Sequence, residues 1–219
     1  MKLKDVKIIE YPVKIERLNF LTHLVGAVLS LSGIIFMLIN SDTLRKLICS
    51  LVYGITLIAV YIASSVYHGL APSHAKRIAR LVDHSAVPLL IAGTTTPCAL
   101  ISLYEVSPAH GIIVFACGWA CALFGIFSKI FFFERLKAVT IAVYIVCGLS
   151  MLLSAVPKLG QLSKGGFGWL VFGCIFYLIG AVLCGLGAKK PLLHPIFHVF
   201  VLLGSGIHFY AICRYIIFG

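Results

Sequence analysis

Charged side chains are scarce in this chain, and their scarcity excludes the commonest class of protein. Only 11% of the 219 residues are charged, whereas 61% are hydrophobic. A soluble domain has roughly 25% charged and about 45–50% apolar residues. A globule of this size cannot bury so much apolar surface, because small proteins have a high ratio of surface to volume. The composition therefore predicts a protein whose surface faces lipid.

Acidic residues are scarcer still, with seven against 18 basic residues and a formal net charge of +11. A charge of this size can indicate a nucleic-acid partner. Here the basic residues lie in short clusters between apolar runs and do not gather on one amphipathic face. We therefore expect no nucleic-acid partner. Cationic residues that flank membrane spans account for the charge, and membrane lipid is the expected partner.

Paired cysteine motifs are also absent, although the chain has eight cysteines. None of them forms a C-x-x-C pair, so the pattern indicates neither a disulfide framework nor a thiolate zinc site. We expect these cysteines to pack as small, weakly polar residues inside helices.

Long apolar runs are what the sequence does have. A helix needs about 20 mainly apolar residues to cross a bilayer. Seven stretches meet this requirement, which predicts an all-α membrane protein with a short N-terminal segment (1–17) and one seven-helix transmembrane domain (18–219). The predicted spans are 18–39, 44–68, 83–103, 111–130, 136–156, 167–188 and 193–218.

The distribution of Lys and Arg predicts the orientation in the membrane. The N-terminus and the second, fourth and sixth connections hold 13 of the 18 basic residues. Because such residues are retained on the cytoplasmic side, the N-terminus is predicted to be cytoplasmic. An odd number of spans then puts the C-terminus outside.

Ionisable residues in membrane spans are costly, so each is a candidate for function. On the predicted topology, His68 ends the second span, Asp83 begins the third, and His194 and His198 begin the seventh, all on one side. Residues four apart in a helix share a face, so His194 and His198 can bind one metal ion. Three imidazoles with a carboxylate or water suit tetrahedral Zn²⁺. The alternative is a set of interfacial histidines that hydrogen-bond to their neighbours.

Further polar residues fall at the same predicted depth. Ser64 shares a helix face with His68 and could orient a metal ligand. Asp83 could bind zinc directly or accept a proton from a zinc-bound water. The first span contributes a supporting group at its inner end, formed by Glu16, Asn19 and His23.

At these residues the chain resembles the bacterial haemolysin III proteins, which belong with the progestin and adipoQ receptors and, more distantly, with the alkaline ceramidases. Residues 16–23 match an E-x-x-N-x-x-[ST]-H opening, and residues 64–68 match S-x-x-x-H. Asp83-His84 with the following 89–97 resembles the third-helix block. Residues 194–198, with His208-Phe209-Tyr210 after them, resemble the final helix.

The resemblance implies seven helices, an inward N-terminus and an outward C-terminus. It also implies zinc held by His68, His194 and His198, with Asp83 bound directly or through water and Ser64 in the same site. The ceramidase relatives cleave a lipid amide, and the haemolysin name refers to a cell-lysing, pore-forming activity. The chain lacks the long N-terminal region of the receptors, which favours the bacterial branch and a multi-pass protein of the bacterial plasma membrane.

Two functions follow as hypotheses. The first is a zinc-dependent membrane hydrolase acting on a lipid amide or ester, with Asp83 and Ser64 as catalytic residues. The second is a non-enzymatic protein with a structural zinc, which senses the state of the membrane or permeabilises it. An ion transporter ranks lowest, because the acidic side chains lie at span ends or in loops. The sequence leaves the substrate and the oligomeric state open.

Overall fold

A computed structural model of the chain describes residues 6–133, 136, 139–146, 148, 165–187 and 189–219. Within these residues the fold is all-helical and contains no strand. Among the described residues, six helices are long and apolar enough to cross a membrane. They are α1 (Val13–Ile39), α2 (Leu44–Gly69), α3 (His74–Val106), α4 (Pro108–Phe132), α5 (Gly166–Gly187) and α6 (Leu193–Ile217).

These helices confirm the expected all-α, multi-pass membrane architecture in the described part of the chain. Most of the predicted fifth span, 136–156, lies outside the described residues, although 139–146 are helical. The count of seven spans, the orientation of the termini and the division at residue 17 therefore stay predictions.

Two helices begin earlier than hydropathy predicts. Helix α1 begins at Val13, where the Pro12 carbonyl accepts hydrogen bonds from the amides of Ile15 and Glu16. Helix α3 begins at His74, nine residues before the predicted start, because the Ser73 side chain accepts a hydrogen bond from the Lys76 amide. An N-cap serine satisfies one of the free amides of a first turn, so a helix can begin in a polar stretch that no hydropathy window selects.

The helices pack so that α2 lies between α1 and α3, α4 packs on α3, and α6 packs against both α5 and α1. Close approach needs small residues at the crossing points. Gly93 allows α3 to pack on α2, since a Cβ there would overlap the Thr56 side chain. Gly26 has the same role between α1 and α2, where a Cβ would lie 2.6 Å from Cδ1 of Tyr61.

The outer surface of the bundle is apolar. Exposed residues include Leu29 on α1, Leu123 on α4 and Val182 on α5. Exposure of such a surface to water is unfavourable, whereas contact with the hydrocarbon core of a membrane is favourable. Several buried polar residues, among them His68, Lys76 and His198, lie where α1, α3 and α6 begin and α2 ends, and this end of the bundle holds the candidate site.

Candidate metal centre

Three histidines from two helices far apart in sequence meet at this end of the bundle. His68 lies in the last turn of α2, and His194 and His198 lie in the first two turns of α6. The candidate ligand atoms of the three side chains all lie within 4.8 Å of one another. His68 and His198 are buried and His194 is half-buried. We call these three residues the histidine cluster.

Neighbouring oxygen atoms set which ring nitrogen of two of these histidines carries the proton. Nδ1 of His68 lies 2.6 Å from Oε2 of Glu16. Nδ1 of His198 lies 3.1 Å from the backbone carbonyl oxygen of Asn19. A carboxylate and a carbonyl can only accept hydrogen bonds, so both rings donate from Nδ1. Each Nε2 is then left with the lone pair that a metal requires.

The separation of the nitrogens suits zinc. Nε2 of His68 and Nε2 of His194 lie 3.3 Å apart. Two nitrogens that each lie about 2.0–2.1 Å from a tetrahedral Zn²⁺ are about 3.3–3.4 Å from one another. Nδ1 of His194 is buried and has no hydrogen-bond partner among the described residues. Three neutral imidazoles with no thiolate in the group fit Zn²⁺ better than Ca²⁺ or Mg²⁺, which need oxygen ligands.

Glu16 joins the cluster to a buried cation that the sequence analysis had counted only as a loop residue. Its Oε1 lies 2.6 Å from Nζ of Lys76, which also donates to the Leu70 carbonyl at 2.9 Å. Lys76 is only 2% exposed. The Glu16 side chain is partly exposed, so one end of this ion pair is buried and the other is near the surface. Lys76 and Asp83 are seven residues apart, so they share one face of a helix. This spacing was the sequence signal that could have placed Lys76 near the site.

The other predicted supporting residues also contact the histidine cluster. Asn19 does so through its carbonyl oxygen, and the hydroxyl of Thr22, the [ST] position of the matched opening, lies 3.2 Å from Nδ1 of His198. The His23 ring stacks on the ring of His198, with centroids 3.7 Å apart and an interplanar angle of 11°. Both nitrogens of His23 are buried without a hydrogen-bond partner in the described part of the chain. His23 therefore packs against a candidate ligand and leaves its own nitrogens unused.

Asp83 and Ser64 form a pair beside the histidine cluster. The Asp83 carboxyl lies near the Ser64 hydroxyl and near the ring of His68. Ser64 is buried one helical turn before His68. Asp83 does not belong to the group of atoms within 4.8 Å, which holds the three histidines alone among the described residues. Direct ligation by Asp83 and the catalytic roles of both residues stay predictions.

The segment before α1 covers the histidine cluster from the end of the bundle. We call residues 6–12 the strap. Arg80 donates a hydrogen bond to the carbonyl of Lys7, and Val6 is buried. The Tyr11 ring stacks on His194 with centroids 4.9 Å apart, and burial raises the pKa of its phenol above the ordinary value. Tyr11 therefore contacts a candidate ligand through its ring, a role that the sequence analysis did not assign.

A cavity of about 550 Å³ opens between the strap, α1 and the connection from α2 to α3. Its polar wall includes Tyr11, Glu16 and His68. Its apolar wall includes Phe20 and Leu70. A cavity with apolar walls and a few convergent polar groups is typical of a small-molecule site.

Comparison with known proteins identifies the family. Residues 11–209 match the profile of the family described as haemolysin-III related. The chain is 35% identical to Hemolysin-3 of Bacillus cereus over 94% of its own length and 93% of that protein. It is 33% identical to a Hemolysin-3 homolog of Bacillus subtilis strain 168, over 94% and 96% of the two chains. A human protein, Monocyte to macrophage differentiation factor, is 26% identical over 90% of this chain and 83% of its own. With this agreement over nearly the whole length, the chain belongs to the haemolysin-III-related family of membrane proteins.

Proposed function

We propose that this protein binds zinc through the histidine cluster and hydrolyses a lipid amide or ester in the bacterial plasma membrane. The observation that carries the proposal is the convergence of His68, His194 and His198, with candidate ligand atoms within 4.8 Å. The hydrogen bonds that His68 and His198 donate from Nδ1 support it, because they leave Nε2 of both rings available to a metal. The cavity beside His68 offers room for a substrate group.

Each side chain has a distinct part in this proposal. His68, His194 and His198 hold the metal, and Glu16 keeps His68 in the tautomer that ligates through Nε2. When bound, Zn²⁺ supplies Lewis-acid chemistry, lowering the pKa of water and polarising a carbonyl. Asp83 acts as the general base that takes the proton from the attacking water, and Ser64, which lies beside it, orients its carboxyl. Ser64 can also donate to the oxyanion that develops on the substrate.

The cavity supports an amphiphilic substrate. Its apolar wall can hold hydrocarbon, and its polar wall leads to His68. The cavity lies at the end of the bundle, where the strap meets α1. An amphiphile in a membrane keeps its polar group near the interface, so its scissile bond can reach this depth. The sequence and the structure select neither an acyl chain nor a head group.

Metal analysis and lipid hydrolysis together test the proposal. Purified protein is expected to hold about one zinc per chain and to release fatty acid from an amide- or ester-linked lipid. A chelator should stop the release, and added zinc should restore it. His110→Ala is the control for replacement of a histidine of the cluster, since His110 lies in the first turn of α4 and not at the site. Absence of fatty-acid release from every lipid class, with zinc fully bound, would exclude the hydrolase.

A second candidate is a permeabilising or membrane-sensing protein whose zinc is structural. The names of the two Bacillus relatives favour it, because one is called Hemolysin-3 and the other Hemolysin-3 homolog. Leakage of dye from liposomes separates the two functions. A folded His68→Ala variant that still releases dye from the vesicles would support the second candidate, because permeabilisation would then not need the histidine cluster.

A further inference from the structure

A second group of buried polar side chains lies deeper in the bundle. The Tyr61 hydroxyl on α2 donates to Oγ of Ser205 on α6 at 2.7 Å. The Tyr177 hydroxyl on α5 lies 2.7 Å from the same Oγ. Tyr61 is 1% exposed and Ser205 is 4% exposed. We call Tyr61, Ser205 and Tyr177 the hydroxyl rung, since they join three helices at one point.

The hydroxyl rung lies at a matched distance from the candidate ligands on two helices. Tyr61 precedes His68 on α2 by seven residues, and Ser205 follows His198 on α6 by seven residues. Seven residues are two helical turns, or about 10.5 Å along the axis. Helix α2 ends at the histidine cluster and α6 begins there, so the two helices run in opposite directions. The same offset on each therefore puts the rung two turns below the cluster.

The Tyr61 ring has a separate packing role. Its edge faces the ring of His23 with centroids 5.1 Å apart, and His23 in turn stacks on His198. Gly26 allows α1 to pack directly on this ring. Replacing Tyr61 by Phe keeps the ring and its contacts, and removes only the hydroxyl group that bonds to Ser205.

We infer that the hydroxyl rung fixes the register of α6 against α2 and thereby positions His194 and His198 opposite His68. Apolar helices in lipid gain no hydrophobic driving force toward one register, because lipid tails are as apolar as their side chains. A hydrogen bond between buried hydroxyls selects one register, since any other leaves polar atoms unsatisfied in hydrocarbon. Tyr61 and Ser205 are positioning residues in this inference, which rests on the proposed zinc site.

Tyr53 offers a matched control within the same helix. It lies eight residues before Tyr61 on α2 and is also 1% exposed. Its hydroxyl has no hydrogen-bond partner among the described residues. Tyr53→Phe and Tyr61→Phe therefore remove the same atom from the same helix, but only the second breaks a bond between helices.

The test measures metal affinity and ligand geometry in the full-length protein in nanodiscs. Zinc affinity is measured by competition with a chelating dye, and the visible spectrum of the Co²⁺-loaded protein reports the geometry of the ligands. Tyr61→Phe is expected to weaken zinc binding about two- to tenfold, the effect of one lost hydrogen bond, and to change the Co²⁺ bands. Tyr53→Phe should leave both unchanged. Ser205→Ala should weaken binding at least as much, and adding Tyr61→Phe to it should have little further effect.

The possible outcomes separate the rung from the zinc site itself. Wild-type affinity and Co²⁺ bands in Tyr61→Phe, with zinc bound to the wild type, would overturn the inference alone. A wild type that binds no zinc would overturn the proposed function and the inference with it. If Tyr61→Phe does not fold, Ser205→Ala removes the acceptor of the same bond and is expected to weaken zinc binding in the same direction. Equal affinities in that variant and the wild type would count against the rung.

Discussion

The histidine cluster and the surroundings of His208 both bury imidazole, but they use the ring nitrogens differently. His208 is 5% exposed, and its Nε2 lies 2.9 Å from the Leu170 carbonyl oxygen. That nitrogen therefore donates a hydrogen bond within the protein. In the cluster, oxygen atoms contact Nδ1 of His68 and His198, so Nε2 keeps its lone pair. His208 likewise keeps a lone pair, on Nδ1, so the comparison teaches that the convergence of three imidazoles, and not burial or a lone pair alone, makes a metal site.

The strongest test of this comparison removes one histidine from each place. We expect His68→Ala to lose its zinc, because only two imidazoles of the cluster remain. His208→Ala should keep about one zinc per chain, because His208 lies outside the group of three histidines whose candidate ligand atoms converge. Metal analysis of both purified variants measures the difference. Equal zinc contents would show that the cluster is not the metal site.

A variant of Asp83 tests whether this residue belongs to the metal ligands or acts only as a general base. Because Asp83 pairs with Ser64 outside the group of three histidines, Asp83→Asn is expected to keep zinc and to lose hydrolysis. The loss should be on the order of 100-fold or more, the usual contribution of a general base. Rates of fatty-acid release and zinc content are measured on the same sample. Loss of zinc from the variant would instead make Asp83 a direct ligand.

The hydrogen bond from Nδ1 of His68 to Glu16 can be removed without replacing any of the three histidines. Glu16→Gln is expected to weaken zinc binding about 10–100-fold, as is usual for groups that orient metal-binding histidines. Lys76→Gln is the control, since it removes the other partner of Glu16 and leaves the contact with His68. Chelator competition measures both affinities. Equal losses would assign the effect to the ion pair rather than to the tautomer of His68.

The smallest expected effect concerns the strap. Tyr11→Ala removes the ring that stacks on His194 and should speed the release of zinc to a chelator about two- to tenfold, the value of one aromatic contact. Tyr11→Phe keeps the ring and should release zinc at the wild-type rate. Stopped-flow mixing with a chelating dye gives the rates. If the alanine variant releases zinc as slowly as the wild type, the strap does not shield the cluster.

Much of the site could be predicted because its signals are local in the chain. The four-residue spacing of His194 and His198 predicts a shared helix face, and α6 carries both near its start. Hydropathy assigns His68 to the end of a helix, and the structure ends α2 at Gly69. The starts of α1 and α3 were predicted too late, because Pro12 and Ser73 begin helices inside polar stretches. A hydropathy window registers the apolar run and not the cap.

The sequence by itself determined the class of protein, the apolar helices and the choice of candidate ligands, because composition and helical spacing act over a few turns. Only the tertiary structure decided which atoms meet: Glu16 with His68 and Lys76, Tyr11 with His194, and Tyr61 with Ser205. These contacts join residues from 52 to 183 positions apart in the chain. They depend on how each helix is rotated and shifted against its neighbours. An apolar helix in lipid has no hydropathy signal for that choice, so packing and buried hydrogen bonds make it.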